Sequence, residues 1–169
     1  MQVAPHGGIR GKCVTCLKPC PGYDQLPERR WIFIPVWGVA CYFFYQARRL
    51  QCTEHGVAVE HIPWSDGKRP VTCAMMGFLA RWARRLSWRE TARAFQTSWE
   101  AVYRAVEWFV VWGLAHRELG GIEAIGVDEI QYAKGHKYLT LVYQIDPGIT
   151  RLLWAGKERT IESFRGFFA

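Results

Sequence analysis

The sequence predicts an α+β chain of several small domains, and three observations predict it. Two cysteine-bearing half-sites flank a pair of stretches rich in β-branched and aromatic residues. A turn-poor, arginine-rich block follows, and a run of alternating strand patterns separated by Gly and Pro turns comes last. A chain of 169 residues accommodates one medium domain, or two small ones and a partial third. The formal charge of +7 is unevenly spread: residues 1–121 hold 16 Lys/Arg against 9 Asp/Glu, whereas residues 122–169 hold 6 of each. A localised basic excess is the footprint of a polyanion binder, because neutralising phosphates releases counterions. A membrane surface is the competing polyanion, and plain solubility is the bland reason for such charge.

Residues 1–12 form a basic, glycine-rich leader without the apolar centre of a signal peptide, so a cytoplasmic location is expected. The most apolar run, residues 31–45, contains Pro35 and Gly38 and is shorter than the roughly 18 to 20 residues of a membrane-spanning helix. Six cysteines in such a setting point to metal ligation or burial rather than disulfides.

The first predicted domain is 13–63. Cys13-Val-Thr-Cys16 and Cys52-Thr-Glu-His55 both carry the two-residue spacer that lets neighbouring side chains converge on one tetrahedral ion. Between them, residues 30–36 and 39–48 read as the arms of a β-hairpin joined by Pro-Val-Trp-Gly. That hairpin would bring the two knuckles together as in a zinc ribbon. Four soft or imidazole ligands with no open position make the zinc structural rather than catalytic. Cys20 is the rival ligand, four residues after Cys16, while Cys41 and Cys73 sit in apolar runs and read as core.

Residues 64–70 (WSDGKRP) read as a turn-rich linker, and 71–119 as three helices. Two capping boxes, Ser87 with Glu90 and Thr97 with Glu100, mark helix starts. The short helix 88–95 and the following Gln96-Thr97-Ser98 have the proportions of a helix-turn-helix. Arg81, Arg84, Arg85, Arg89, Arg93 and Arg104 are interleaved with Trp82, Trp88, Phe95 and Trp99: forks for phosphate, rings for packing. In such a motif the second helix enters the major groove by its amino end, which here holds Ser98, Glu100, Ala101, Tyr103 and Arg104. The DNA-contact candidates are therefore Arg84, Arg85, Arg89, Arg93, Ser98, Glu100, Tyr103 and Arg104, against the alternative of a solvated basic face.

The third domain, 120–169, begins with strand patterns at 124–131 and 137–146. Asp146-Pro147-Gly148 turns the chain into a third, 149–155, making an antiparallel meander. From Thr160 onward Ile161, Phe164 and Phe168 recur at helical spacing. Asp128 and Glu129 interrupt an apolar strand, and adjacent strand residues face opposite ways, so only one of them can serve a given site. Asp128, after Gly126-Val127, reads as the first carboxylate of a two-metal phosphoryl-transfer site. The bland alternative is a solvated edge-strand acid.

Three strings together carry a resemblance. His55-Gly-Val with Val59-Glu60 and Pro63-Trp64, the run LSWRETARAFQTSWEAVYRAVEW, and GVDEIQYAKGHKYLTLVYQID resemble bacterial insertion-sequence transposases of the ISL-three type. The resemblance implies a zinc-binding domain, a helix-turn-helix and a DDE catalytic domain of RNase H-like fold, represented here by its first three strands and part of its first helix. It implies Asp128 as the first catalytic acid, binding magnesium, and Cys13, Cys16, Cys52 and His55 as zinc ligands. His55 departs from the cysteine more usual there, although imidazole also suits zinc. Implied partners are double-stranded DNA at terminal inverted repeats and further copies of the chain in an active full-length complex. The family's remaining two acids lie beyond the helix within which this sequence ends. Asp146 and Glu162 match neither, since one opens a turn and the other sits in a helix's first turn. The expectation is therefore a transposase fragment without cleavage activity of its own. The alternative is a stand-alone DNA-binding protein that occupies element ends, as a repressor would. With their sheet incomplete, Phe164, Phe167 and Phe168 are expected to be exposed and to favour aggregation.

Overall fold

A computed structural model describes residues 1–5, 7–158 and 160–168. The described residues form a mixed α+β chain with antiparallel sheets and four helices, in two compact units, Met1–His116 and Arg117–Ala169. Among them, no helix is long and apolar enough to cross a membrane.

The first unit holds two separate sheets. β1 (Gly22–Gln25), β4 (Arg48–Cys52) and β5 (Gly56–Val59) form one, in the order β1-β4-β5. β2 (Arg29–Val36) and β3 (Val39–Tyr45) form the other, a hairpin. The predicted arm 39–48 is thus two strands, and the hairpin does not itself join the knuckles. The break falls where the chain crosses between sheets: Tyr45 and Ala47 are both buried, and the Ala47 carbonyl accepts from Leu26 N at 2.8 Å. At the hairpin tip Trp37 (φ 54°) and Gly38 (φ 75°) both lie in the left-handed region, the two-residue turn whose twist suits paired strands. For a residue with a Cβ that conformation costs about 1–2 kcal/mol.

Residues 64–70 are not a free spacer. The Trp64 ring meets Trp31, Phe43 and Tyr45 edge-on with centroids 6.2, 5.7 and 5.3 Å away, and the Trp31 indole donates to Ser65 Oγ at 3.0 Å. An indole buries too much apolar surface to be left in a loop. The hairpin is then joined to the helices: Ile32 N donates to the Pro70 carbonyl at 2.8 Å, and Thr72 N to the Ile32 carbonyl at 3.0 Å.

Thr72 caps α1 (Cys73–Trp82), and Ser87 with Glu90 forms the expected reciprocal box at α2 (Trp88–Ala94). At α3 (Trp99–Ala115) the cap is Ser98, whose hydroxyl accepts from Ala101 N, and not Thr97. The expected Thr97–Glu100 box is absent because the turn is one residue longer. Gln96 sits at φ 50°, and Thr97 N donates back to the Ala92 carbonyl, so Thr97 closes the turn. The helical core is Met75, Met76, Leu79, Ala92, Val102 and Ala105, with Ile32 and Ile34 of the hairpin packed on it. Cys41 and Cys73, expected in the core, are only partly buried.

In the second unit β6 (Ile125–Ala133), β7 (Lys137–Gln144) and β8 (Arg151–Lys157) form the antiparallel meander, with β7 central and carrying buried Leu141 and Val142. The third strand starts two residues later than its pattern suggested, because Ile149 N still closes the turn onto the Asp146 carbonyl at 2.9 Å. Thr160 caps α4 (Ile161–Arg165). Phe164 and Phe167 stack, with Phe168 edge-on to both; Phe168 stays 70 % exposed, whereas Phe164 and Phe167, expected to be exposed, are half-buried against their neighbours.

Candidate metal centre and nucleic-acid interface

Both cysteine half-sites are built the same way. After Cys13 the chain returns through Leu17 (φ 58°), and after Cys52 through Gly56 (φ 66°), so in each case the fourth residue on is left-handed. Leu17 N donates to the Cys13 carbonyl at 2.9 Å, and Cys52 pairs across the β4–β5 ladder with Gly56. The knuckles meet because the chain after β5 runs antiparallel to residues 12–14. His61 N donates to the Lys12 carbonyl at 2.7 Å, and Cys13 bridges to Glu60.

Four donor atoms converge there, from Cys13, Cys16, Cys52 and His55, all within 4.8 Å of one another. Cys16 Sγ lies 3.7 Å from Cys52 Sγ, and His55 Nδ1 lies 3.5 Å from Cys52 Sγ and 3.9 Å from Cys13 Sγ. A tetrahedron with zinc–sulfur bonds of about 2.3 Å and a zinc–nitrogen bond of about 2.0 Å has edges of roughly 3.5–3.8 Å. The donor set therefore fits a four-coordinate zinc ion with no position left for a substrate. The His55 contact, with backbone N–H groups of the second knuckle, pulls the Cys52 thiol down to about 6, toward the thiolate that a metal requires. Cys20 is packed with Cys13 and Cys52 but lies outside the four-donor group. Its Sγ faces the Lys18 carbonyl at 3.4 Å, and burial pushes its thiol up. A Lys18–Glu54 ion pair links the two knuckles at the surface.

The predicted nucleic-acid residues are exposed around α2 and α3. Arg84 and Arg85 lie in the α1–α2 connection, Arg89 and Arg93 on α2, Glu100, Tyr103 and Arg104 on α3. Among the described residues the guanidinium groups of Arg84, Arg85, Arg89 and Arg104 make no hydrogen bond or ion pair, which leaves their forks available to phosphate. Two candidates have internal duties. Ser98 spends an acceptor on the α3 cap. The Tyr103 ring packs on Trp88 with centroids 5.3 Å apart, and its hydroxyl reaches Glu107 at 3.4 Å. Beside the amino end of α3 a cleft of about 360 Å³ is lined by Arg69, Ser98, Glu100 and Arg104, among others.

In the second unit Asp128 is exposed on edge strand β6, directly opposite Leu141, while Glu129 is opposite Thr140. The two acids thus share a strand but not a face. Asp128 Oδ1 accepts from Glu129 N at 2.8 Å. Among the described residues the only group of three or more His, Cys, Asp or Glu side chains close enough to share a metal is the Cys3His cluster, so Asp128 stands outside any such group. Asp146 is committed to structure: its carboxylate accepts from Glu123 N, Ala124 N and the Gln144 amide, which holds it below the ordinary carboxylate range. Glu162 lies in the first turn of α4.

Residues 125–169 match a family described as Transposase, the DDE group of ISL3 elements. The chain is similar to ISL3-type transposases. Over 159 residues, 91 % of its length, it is 29 % identical to the transposase for insertion sequence element IS1557 of Mycobacterium tuberculosis, in both strain CDC 1551 / Oshkosh and strain ATCC 25618 / H37Rv. Over 157 residues it is 26 % identical to the transposase for insertion sequence element IS1001 of Bordetella parapertussis. These stretches cover 35 % and 38 % of the relatives, so the chain spans little more than a third of the length of the curated relatives it matches. No solved structure matches it. In this ISL3-like chain the family match begins at the first residue of β6 and includes Asp128, whereas the Cys3His cluster and the arginines lie in the stretch covered by the longer relatives alone.

The burial of Glu60, which follows β5 and bridges to Cys13, has no local signal in the sequence. Trp37 does carry one, since it occupies a turn position where Asn or Asp is the ordinary choice.

Proposed function

We propose that this chain is the DNA-end-binding part of an insertion-sequence transposase, continuous with the opening strands of its catalytic domain. The observation that carries the proposal is the likeness to the IS1557 transposase over 91 % of the chain. The geometry agrees with it. The zinc-ribbon knuckles hold a structural zinc through Cys13, Cys16, Cys52 and His55, which cross-links segments about 40 residues apart in a small fold. α2, the turn and α3 act as a helix-turn-helix. Arg84, Arg85, Arg89 and Arg93 contact phosphates, and Glu100 and Arg104 stand nearest the base edges at the amino end of α3. The partner is the double-stranded terminal inverted repeat, and the active complex holds more than one copy, so that both element ends are gripped together.

In the full-length protein Asp128 is one carboxylate ligand of a magnesium site in an RNase H-like domain. Magnesium supplies charge stabilisation for in-line displacement at phosphorus. In that chemistry water attacks the scissile phosphate and frees a 3′ hydroxyl, which then attacks a target phosphate with release of its 3′ oxygen. Among the described residues Asp128 has no further carboxylate or imidazole close enough to complete such a site, so no step is assigned to residues 1–169 by themselves. That isolation of Asp128 also favours a second reading, a DNA-binding protein that occupies element ends without cutting and represses an intact relative.

A mobility-shift titration on a duplex carrying the terminal repeat is expected to show binding that weakens steeply with salt. Arg84→Gln or Arg89→Gln should each lower the slope of log K against log salt by about 1. Absence of any shift would remove the DNA-binding proposal. With magnesium added, the isolated chain should leave the duplex intact. Cleavage that disappears in Asp128→Asn would show that residues 1–169 assemble an active site after all.

A further inference from the structure

The hairpin β2–β3 ends in a residue that folding does not explain. Trp37 is 97 % exposed, the most exposed large apolar side chain among the described residues, and it is held at φ 54° with Val36 and Val39 also exposed beside it. Asn at this position would make the same turn with less left-handed strain and without an indole in water. Strain and apolar exposure at one point favour an external role over a folding one.

The surroundings of the tip define that role. Pro35, Gly38 and Ala40 line one side of a cleft of about 250 Å³ whose other side is Ala94, Phe95, Gln96 and Thr97, the end of α2 and the turn into α3. Through Pro35 and Gly38 the hairpin end that carries Trp37 thus shares a cleft with the turn that delivers the amino end of α3, in the part of the chain that carries all the excess positive charge. A protein partner would need far more apolar area than this tip offers, since a stable interface covers about 800 Å² on each side. A duplex needs only one ring, because an apolar wedge can enter a base step or pack on sugar edges while arginines hold the backbone.

We infer that Trp37 is a DNA-contacting wedge: when α3 meets the duplex, the hairpin tip places the indole against the adjacent groove and deforms the DNA there. This rests on the DNA-binding reading above and adds a contact outside the helices.

The test compares the full chain with Trp37→Asn and Trp37→Phe on a mixed-sequence duplex labelled at both ends for energy transfer. Trp37→Asn should fold at least as well as the parent, judged by its melting temperature, because Asn favours the turn. It should bind about tenfold more weakly, the loss of one stacked ring. Its salt slope should be unchanged, since no phosphate contact is lost. The bend reported by energy transfer should relax in Trp37→Asn and persist in Trp37→Phe. Equal affinity and equal bend in Trp37→Asn would overturn the wedge and leave the DNA-binding reading standing. No binding by the parent to this duplex or to one carrying the terminal repeat would overturn both. A lower melting temperature for Trp37→Asn, or loss of self-association in sedimentation with DNA affinity intact, would assign the ring to folding or to a protein contact and equally overturn the wedge.

Discussion

Glu60 is 4 % exposed, yet its carboxylate is fully engaged. It accepts from the Tyr45 hydroxyl at 2.6 Å, from Arg48 N at 2.7 Å and from Arg48 Nε at 2.8 Å, and it pairs with the other arm of the same guanidinium. Burial by itself would raise the Glu60 carboxyl, but the Arg48 and Tyr45 bonds outweigh it and hold the group below its ordinary value. Tyr45 is in turn pushed up to about 12, chiefly by burial and then by Glu60. Removing the carboxylate leaves a half-buried guanidinium unpaired, so Glu60→Gln should destabilise the first unit by about 3 kcal/mol. The pH dependence has a definite sign. Because the folded-state value is depressed, the contribution is complete above the unfolded carboxyl range near pH 4.3 and is lost as pH falls through the folded-state value. The difference in melting temperature between parent and Glu60→Gln should therefore narrow in acid; a gap that stays constant down to pH 3 would show that the charge is not what matters. Gly11 is constrained by the same group, since a Cβ there would lie 2.9 Å from Glu60 Oε2.

The ends of α3 and the two knuckles are where single elements can be tested. With Ser98 as the cap, Ser98→Ala should cost about 1 kcal/mol in thermal or urea unfolding. Thr97→Ala should cost clearly less, the reverse of what a Thr97–Glu100 box requires. On the proposed zinc site the knuckles should depend on a ligand in a different way, because metal affinity in small sites is folding free energy. Chelation of zinc-loaded protein should release hydrogen-exchange protection first at residues 12–20 and 50–61. Metal analysis of protein prepared without chelator should find about one zinc per chain. Protein that is folded, unaffected by chelator and free of zinc would remove the metal from the account and leave four thiol and imidazole groups packed for another reason.

For the whole molecule, the compact units predict separable behaviour. The first unit shares its apolar clusters across the boundary that the sequence suggested near residues 64–70. Trp64 closes the cluster of Trp31, Tyr45 and Ile62, and Ile32 and Ile34 join the helical core. The hairpin and helices should therefore melt together, with chelation lowering that transition. The second unit buries Leu141, Val142 and Leu153 but leaves Ile161 and Phe168 each 70 % exposed. It should unfold in its own transition, little shifted by chelator, and should be the part that binds an apolar dye. A single transition that moves as a whole on chelation would contradict this division.

What the sequence determined by itself is local or periodic. The C-x-x-C and C-x-x-H spacers, the Ser87–Glu90 box, the strand-forming runs and turn of β6 and β7 and the basic excess of residues 1–121 each depend on residues within a few positions of one another or on composition alone. The tertiary structure decided what needs partners far along the chain. It split residues 39–48 between two sheets, moved the α3 cap to Ser98, packed Trp64 of the 64–70 turn segment against the Trp31–Tyr45 cluster, and gave Glu60 its partners. It also brought Cys13 and His55 together across 42 positions and set the hairpin tip beside the α2–α3 turn. The division has a physical cause: capping and strand alternation act between near neighbours, whereas apolar burial and charge pairing depend on which surfaces the completed fold leaves for each other.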